Sequence, residues 1–347
     1  MQTRQEMPTI EVAALNREAP LGTLVDPVAA PGTFYRRSNL EVPRIDVDSW
    51  RLAIEGRVEN PLSLSLRDLM SFPTRSLVVT LECAGNGRNL MSPIPEGTPW
   101  GLGAVSTAEF TGVRLWDVLE RARPTADAVE ALFEGADRGR LDTDREIAFE
   151  RSLPLDPAAN PDVLLAWAMN GEPLPPAHGY PVRLVVPGWY GMASVKWVTR
   201  IRLLAAPFHG PFQGERYVYR GEPGLPDGTP VTRMRVRSLI ASPSDGASVP
   251  AGSVTIQGVA WSGFGRITRV EVSVDGGVTW RPAELDEPPS PYAAAPWRFA
   301  WHPQRRGDYV LAARATDAAG NVQPLESVWN ELGYGNNVVQ RIRVSVV

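Results

Sequence analysis

The sequence has one cysteine, Cys83, and only three histidines, His178, His209 and His302. A single thiol excludes an intramolecular disulfide and any multi-cysteine zinc site. An all-histidine zinc site would have to use every histidine in the chain. No apolar run approaches the roughly 20 residues that a membrane helix needs. Met1 to Val25 mixes charge and polarity and lacks the short apolar core of a secretory signal. The expected location of the sequence as written is therefore cytoplasmic, or periplasmic if a signal has been trimmed from it. No Cys-x-x-Cys-His run and no haem-binding domain are present, so no haem is expected in this chain. A formal net charge of −4 gives no general reason to expect nucleic acid or an anionic membrane surface as partner.

What is present describes a globular protein. At 347 residues the chain is long enough for two domains of about 100–200 residues each. An apolar fraction of 43% and a charged fraction of 21% suit a sizeable buried core. With 31 glycines and 33 prolines, many ordered loops are expected. The opening segment through Pro27–Pro31 reads as an extended arm. Trp50–Val58 has strand character, and Ser65 and Asp68 stand in the relation of a capping box before a short helix ending at Met70. Ser76–Glu82 is a buried-strand pattern. Helical spacing returns at Leu115, Val118 and Leu119, and strand character at Ala128–Glu134. Val163–Met169 is a strand closed by the turn pair Asn170-Gly171, and Pro181–Val186 and Val195–Leu204 are further strands. This mixture, without strict βαβ alternation, predicts an α+β first domain.

Gly221–Pro230 is rich in glycine and proline and reads as a linker. Beyond it, apolar residues alternate at Val254/Ile256, at Val270/Val272/Val274 and at Leu311/Ala313/Ala315, with a hairpin signal at Asp275-Gly276. Several short period-two strands predict an immunoglobulin-like antiparallel β-sandwich, without that fold's cysteine pair. The expected division is an N-terminal arm (1–30), an oxidoreductase domain (31–225) and the sandwich (226–347).

Cys83 lies where a buried strand stops and the loop Cys83-Ala-Gly-Asn-Gly-Arg88 begins. Most free cysteines are core filler, but loops at strand ends are where rigid scaffolds present functional groups. The loop amides and Arg88 could stabilise a thiolate. That thiolate could be a nucleophile with His178 or His209 as base. It could equally ligate one soft metal whose other ligands come from a cofactor. Spacing does not choose between the two.

At this loop the sequence resembles the sulfite oxidase family, whose hallmark is a Cys-Ala-Gly-Asn-x-Arg loop. The resemblance continues through Phe34–Leu40, Gly103–Ala108, Met169–Gly171, His178–Arg183, Val186–Gly188 and Val195–Trp197. The second half adds Val270–Gly277 with Trp280, then Trp329-Asn330, as in the family's dimerisation domain. The resemblance implies a sulfite-oxidase-type molybdopterin-binding domain with Cys83 as the molybdenum ligand. It places Tyr35, Arg36, Arg37, Ser38 and Asn39 along the cofactor, with Arg37 facing metal and substrate; much of the family has histidine where Asn39 stands. Asp137, His178, Arg183, Ser194, Val195 and Lys196 correspond to residues that hold the pterin and its phosphate. Arg37, Arg88 and Tyr217 correspond to the catalytic set, with Tyr219 close enough to be the counterpart of Tyr217, and Trp100 to the pocket wall. The implied partners are a small oxyanion substrate, an external electron acceptor such as a cytochrome, and a second copy of the chain in a homodimer.

One departure bears on the substrate. Leu332 stands where the family places a further substrate arginine after Trp-Asn, with Glu331 beside it, and Arg341 matches a different residue of the last strand. A missing charge-assisted hydrogen bond costs about 1.5–3 kcal/mol. Sulfite oxidation by oxygen-atom transfer is the leading expectation. A sulfoxide or another small oxo substrate, a cysteine-nucleophile hydrolase, and a non-catalytic binding protein are the rivals.

Overall fold

The computed structural model describes residues 16–30, 32–141 and 146–347; residues 1–15 of the expected arm and Pro31 lie outside them. The described arm is held down rather than free. Ala19 N–H donates to the Gly103 carbonyl and Ala29 N–H to that of Thr107, both at 2.8 Å. The Glu18 carboxylate accepts the Gly101 and Gly103 amides. The arm contains one 3₁₀ turn, Leu21–Val25, and Arg17 and Arg36 bridge to each other through their backbones.

The first half is mostly sheet. Its α component is two short helices, α1 (Leu66–Met70) and α2 (Leu115–Ala122), so the helical share of the expected α+β fold is small. Ser65 caps α1: its hydroxyl accepts the Asp68 amide, and the Asp68 carboxylate accepts the Ser65 amide at 2.8 Å. The apolar spacing of α2 buries Leu115, Val118, Leu119 and Ala122.

Two five-stranded sheets flank these helices. One runs in the order Leu62–Leu64, Leu52–Gly56, Val198–Leu204, Glu130–Arg140, Glu146–Pro154, with one parallel pair between Leu52–Gly56 and Val198–Leu204. The other joins Thr74–Glu82, Val105–Arg114, Leu164–Met169 and Glu172–Pro173, with Arg183–Val185 also paired to Leu164–Met169. Asn170 and Gly171 take φ of 52° and 80°, the conformation that a tight hairpin turn requires.

Two strands differ instructively from their sequence patterns. The strand expected from Val195 begins at Val198, because Trp197 has φ of 53° and breaks the run. The strand expected at Ala128–Glu134 continues to Arg140 but slips register between Glu134 and Arg138. This bulge turns Asp137 inward, as bulges near functional sites commonly re-aim a side chain. Gly135 permits it: a Cβ there would sit 2.3 Å from the Asp137 carboxylate and 2.8 Å from the Lys196 carbonyl.

In the second half, one sheet orders Arg237–Ser242, Val254–Trp261, Ala295–Trp301 and Glu284–Leu285. The other orders Ala247–Val249, Arg341–Val346, Gly307–Asp317, Ile267–Ser273 and Arg281–Pro282. Their inner faces share a core that includes Ile256, Trp297, Val270, Leu311 and Val344. Pairing is not wholly antiparallel as expected, since Ala247–Val249 runs parallel to the last strand. Asp275-Gly276 does not close a two-residue hairpin either. Its strands pair from Val272 to Arg281, and the Asp275 carboxylate shapes a longer loop by accepting the Val278 and Thr279 amides.

The halves meet along the edge strand that leads to Cys83. Thr80 N–H donates to the Tyr292 carbonyl at 3.0 Å, Ala294 N–H donates to the Thr80 hydroxyl at 2.7 Å, and Ser290 donates to the Val78 carbonyl. The exposed backbone groups of an edge strand are thereby covered.

Gly103 tests the docking of the arm. A Cβ there would lie 2.2 Å from the Ala19 carbonyl oxygen, which overlaps backbone and not a yielding side chain. Gly103→Ala is expected to cost about 1–3 kcal/mol in urea unfolding and to speed proteolysis of the arm, while Gly171→Ala leaves arm proteolysis unchanged.

Candidate functional site: a buried thiol in a cationic cleft

The strand Thr74–Glu82 carries its last four residues into the interior and stops at Cys83. Cys83 N–H donates to the Ala104 carbonyl at 2.8 Å, and the chain turns back as Asn86 N–H donates to the Cys83 carbonyl at 2.9 Å. Gly85 and Gly87 are required by this turn. A Cβ on Gly85 would lie 2.7 Å from the Arg88 guanidinium, and Gly87 has φ of 81°. Burial pushes the Cys83 thiol above its ordinary value, opposed by Arg37, by the Gly85 amide that it accepts and by Arg88. The hydrolase reading needs the reverse, a thiol activated by a neighbouring base. His209 is exposed and outside the cleft. His178 is in the cleft but packs its ring edge-on against Phe34.

The thiol opens into a cleft of about 680 Å³, a volume that includes the solvent at its mouth. The segment that follows the arm brings Tyr35, Arg37, Ser38 and Asn39 to it, and the bulge brings Asp137. His178 arrives on a 3₁₀ turn and Arg183 on the strand that follows. Ser194 and Lys196 come from the turn before Val198, and Tyr217 closes one side. Thus residues up to 182 positions apart in sequence, Tyr35 to Tyr217, face one space.

Besides His209 and Tyr219, four of the residues singled out in the sequence do not line it. Arg36 pairs with Arg17 through its backbone, and its Nε is buried without a hydrogen-bond partner. Val195 is buried, and its carbonyl accepts the Leu184 amide at 2.7 Å. Trp100 lies in the core behind the thiol. Arg88 is turned away from the cleft because carbonyls occupy its guanidinium: Nη1 donates to Thr98 at 2.6 Å, while Nε and Nη2 donate to Leu332 at 3.2 and 3.0 Å. The residue that replaces an expected cation thus supplies, through its backbone, the anchor for another.

Tyr217 and Tyr219 are separated clearly. The Tyr217 hydroxyl accepts from the Asn39 amide at 3.0 Å, and the Asn39 carbonyl oxygen accepts from Arg37 Nη2 at 2.7 Å. Asn39 therefore links the arginine and the phenol. Tyr219 packs under Arg235 instead, 4.6 Å from ring centre to guanidinium.

Phe149 and Met192 also wall the cleft and were not legible as site residues, since each reads as ordinary core. Gly191 carried a faint signal: a Cβ there would lie 2.4 Å from the Tyr35 hydroxyl. Tyr334, stacked on Tyr217 at 5.2 Å and lying under Arg88 at 5.3 Å, was likewise missed.

Charge is unbalanced here. Among the described residues, the hydrogen-bond partners of buried Arg183 are carbonyls, including His178 at 3.1 Å and Ser194 at 3.2 Å, and its guanidinium lies over the Phe110 ring. Burial lowers it to about 10. Lys196 donates to the Ser38 hydroxyl at 2.7 Å and to the Arg37 and Ala177 carbonyls, both at 3.0 Å. Burial and then the Arg183 charge depress it, while Asp137 pulls it back up. Asp137 is raised by burial and held down by Lys196. Among the described residues that line the cleft, Arg37, Arg183 and Lys196 therefore face a single carboxylate. Desolvated cations held only by neutral acceptors are costly until an anion arrives, and guanidinium and ammonium groups are the donors that bind phosphate and oxyanions.

The same field acts on His178, which burial, then Arg183 and Lys196, lower from 6.5 to about 3. Its folded value lies below its unfolded one, so the unfolded chain takes up a proton that the folded chain refuses. The resulting stability is present above pH 6.5 and lost as pH falls toward 3. Each pH unit in that window costs about 1.4 kcal/mol. Urea unfolding of protein without a bound anion is expected to show this slope, and His178→Gln to flatten it. Equal slopes would mean that the histidine is solvated.

The oxidoreductase molybdopterin binding domain family matches residues 39–212, and the Mo-co oxidoreductase dimerisation domain family matches residues 229–347. Mitochondrial sulfite oxidase of Mus musculus is 40% identical over 356 residues, covering 96% of this chain and 64% of its own length. The chain thus spans less than two thirds of that relative. Sulfite oxidase of Gallus gallus is 37% identical over 342 residues, covering 92% of this chain and 73% of its own. Among solved structures, the sulfane dehydrogenase SoxCD from Paracoccus pantotrophus superposes with a TM-score of 0.83 at 30% identity, covering 97% of this chain and 87% of its own. With the Cys83 loop, the cationic cleft and both domain matches in agreement, the chain belongs to the sulfite oxidase family of molybdopterin-binding oxidoreductases.

Proposed function

We propose that the chain is a molybdenum-cofactor oxidoreductase that takes sulfite and water to sulfate, two protons and two electrons, the electrons leaving to an external acceptor such as a cytochrome. The observation that carries this reading is the pairing of a lone buried thiol with an excess of cations in one cleft, Arg183 buried and Arg37 and Lys196 half-buried. A molybdopterin fits both features. Cys83 would give its protein ligand to molybdenum, and among the described residues no group of three or more His, Cys, Asp or Glu side chains could hold a metal without it. Arg183 and Lys196 would neutralise its phosphate, and Asp137, Ser194 and neutral His178 would meet its polar edges. When bound, the group supplies two-electron oxygen-atom transfer, chemistry that side chains lack.

The chain's own residues bind and orient the substrate. Arg37, fixed by Asn39 and by the Ser38 carbonyl at 2.8 Å, offers fixed positive charge to a small oxyanion. Tyr217 donates its hydroxyl proton toward a substrate oxygen while its own oxygen accepts from Asn39. Phe149 and Met192 exclude water from that side, which strengthens each polar contact. Because Arg88 is committed to carbonyls and Leu332 adds no charge, the substrate meets fewer cations than a dianion would use best. This favours a second reading, in which a sulfoxide or another small oxo compound is the physiological substrate. The second half fits an immunoglobulin-like sandwich that joins two copies in a homodimer, and the division into arm (1–30), cofactor domain (31–225) and sandwich (226–347) belongs to this reading.

Elemental analysis of the purified chain, paired with sulfite oxidation using ferricyanide as acceptor, tests the proposal. Stoichiometric molybdenum with sulfite turnover is expected, and Cys83→Ser should lose both. Arg37→Gln should keep the metal and raise KM about 10- to 100-fold, as expected for one charge-assisted hydrogen bond. Metal without sulfite turnover transfers the assignment to the second reading. Absence of metal from a host that makes the cofactor overturns both.

A further inference from the structure

The loop that presents Cys83 is gripped by the second half of the chain at nearly every residue. Glu82 is buried, and its Oε1 accepts Arg237 Nη1 at 2.8 Å while its Oε2 accepts Trp261 Nε1 at 2.9 Å. Asn86 Nδ2 also donates to Glu82 Oε1 at 3.0 Å, and the Asn86 carbonyl accepts Arg237 Nη1 at 3.2 Å. The Ala84 carbonyl accepts the Gly335 amide at 2.8 Å, and the Gly87 carbonyl accepts Asn336 Nδ2 at 2.7 Å. Arg88 is tied to Leu332. From the first half the loop receives the Ala104 amide on Asn86 Oδ1 at 3.1 Å and the backbone bonds of its turn.

Stability alone does not account for this arrangement. A buried ion pair contributes little net stability relative to apolar packing. Here Nε and Nη2 of Arg237 are buried without partners, and each unpaired donor carries a desolvation cost. A Cβ on Gly87 would lie 2.5 Å from Arg237 Nη2, so the guanidinium is wedged against the loop backbone. What the arrangement does achieve is geometry. Both carboxylate oxygens of the residue before the thiol, and the carbonyl three residues after it, are fixed from one side by one rigid sheet.

We propose that Arg237 and Trp261 are positioning residues for Cys83, bracing its loop across the domain boundary so that the thiolate stands at one fixed place in the cleft. The inference rests on the reading of Cys83 as metal ligand for its purpose, but not for its test. The second half is thereby part of the cofactor site as well as a dimerisation unit.

Alkylation of Cys83 by iodoacetamide, in full-length chain made without cofactor, reads local opening of the loop. Trp261→Phe, which removes one hydrogen bond and little volume, is expected to raise the rate about tenfold, the low end for a hydrogen bond to a charged group. Arg237→Met should raise it further, and Arg237→Lys should recover part of the loss by keeping a cation on Glu82. Trp297→Phe is the control: Trp297 lies in the second core, its Nε1 has no partner, and the rate should stay at the wild-type value. In loaded protein, Trp261→Phe should shift the thiolate-to-metal absorption band without loss of metal. An unchanged alkylation rate in Trp261→Phe, or an equal rise in Trp297→Phe, overturns the brace, and Trp261→Phe carries the test if Arg237→Met does not fold. If wild-type chain never takes up molybdenum, the ligand reading falls and the alkylation rates still decide the brace.

Discussion

A carboxylate one residue before the thiol is the constraint around which the two halves are arranged. Glu82 ends a strand whose last four residues are buried, so its oxygens reach no bulk water and must find donors inside the protein. Its own turn supplies one, from Asn86. The others, Arg237 and Trp261, lie 155 and 179 residues away. Satisfying Glu82 therefore requires the second half to dock at one place, and that docking also covers the edge strand at Val78–Thr80. The fold of the first half and the seating of the second are one electrostatic problem with one solution.

The cleft presents the opposite situation. At Glu82 both carboxylate oxygens find donors; around Cys83, among the described residues, the cations outnumber the carboxylates. Arg183 and Lys196 are held by carbonyls whose dipoles orient them without cancelling their charge. That leaves a preorganised positive site, in which an incoming anion gains Coulomb energy without reorganising the protein. Burial, and then the Arg183 and Lys196 charges, keep His178 neutral, while burial raises Asp137 and lowers Lys196 against the pull of each on the other.

Irregular backbone does much of the placing. The bulge at Gly135–Asp137 and the left-handed Trp197 interrupt paired strands in the same sheet, and both interruptions turn a side chain toward the cleft. Asn39 then couples Arg37 to Tyr217, so the cation and the phenol proposed to meet substrate cannot move independently.

Much was legible in the residues alone. The capping box at Ser65, the spacing of α2, the Asn170-Gly171 turn and the period-two strands beyond residue 250 are local patterns, and local patterns report elements because each is satisfied within a few residues. The Cys83–Arg88 loop was legible for the same reason, as glycines and a thiol at a strand end declare a tight presented turn. What sequence did not contain was direction. Arg88 looked like a substrate cation, yet Leu332 and Thr98 carbonyls, distant in the chain, take up its donors. Tyr217 and Tyr219 are indistinguishable by position, and only the partners Asn39 and Arg235 tell them apart. Phe149 and Met192 read as core because apolar residues look alike until a cleft opens beside them. The sequence by itself determined which chemistry this chain can hold, one thiol on a presented loop and arginines and lysines able to meet an anion, in a chain whose net charge is −4. The tertiary structure decided which of those groups face the same space, because long-range hydrogen bonds and buried charge, not neighbours in sequence, set where each side chain points.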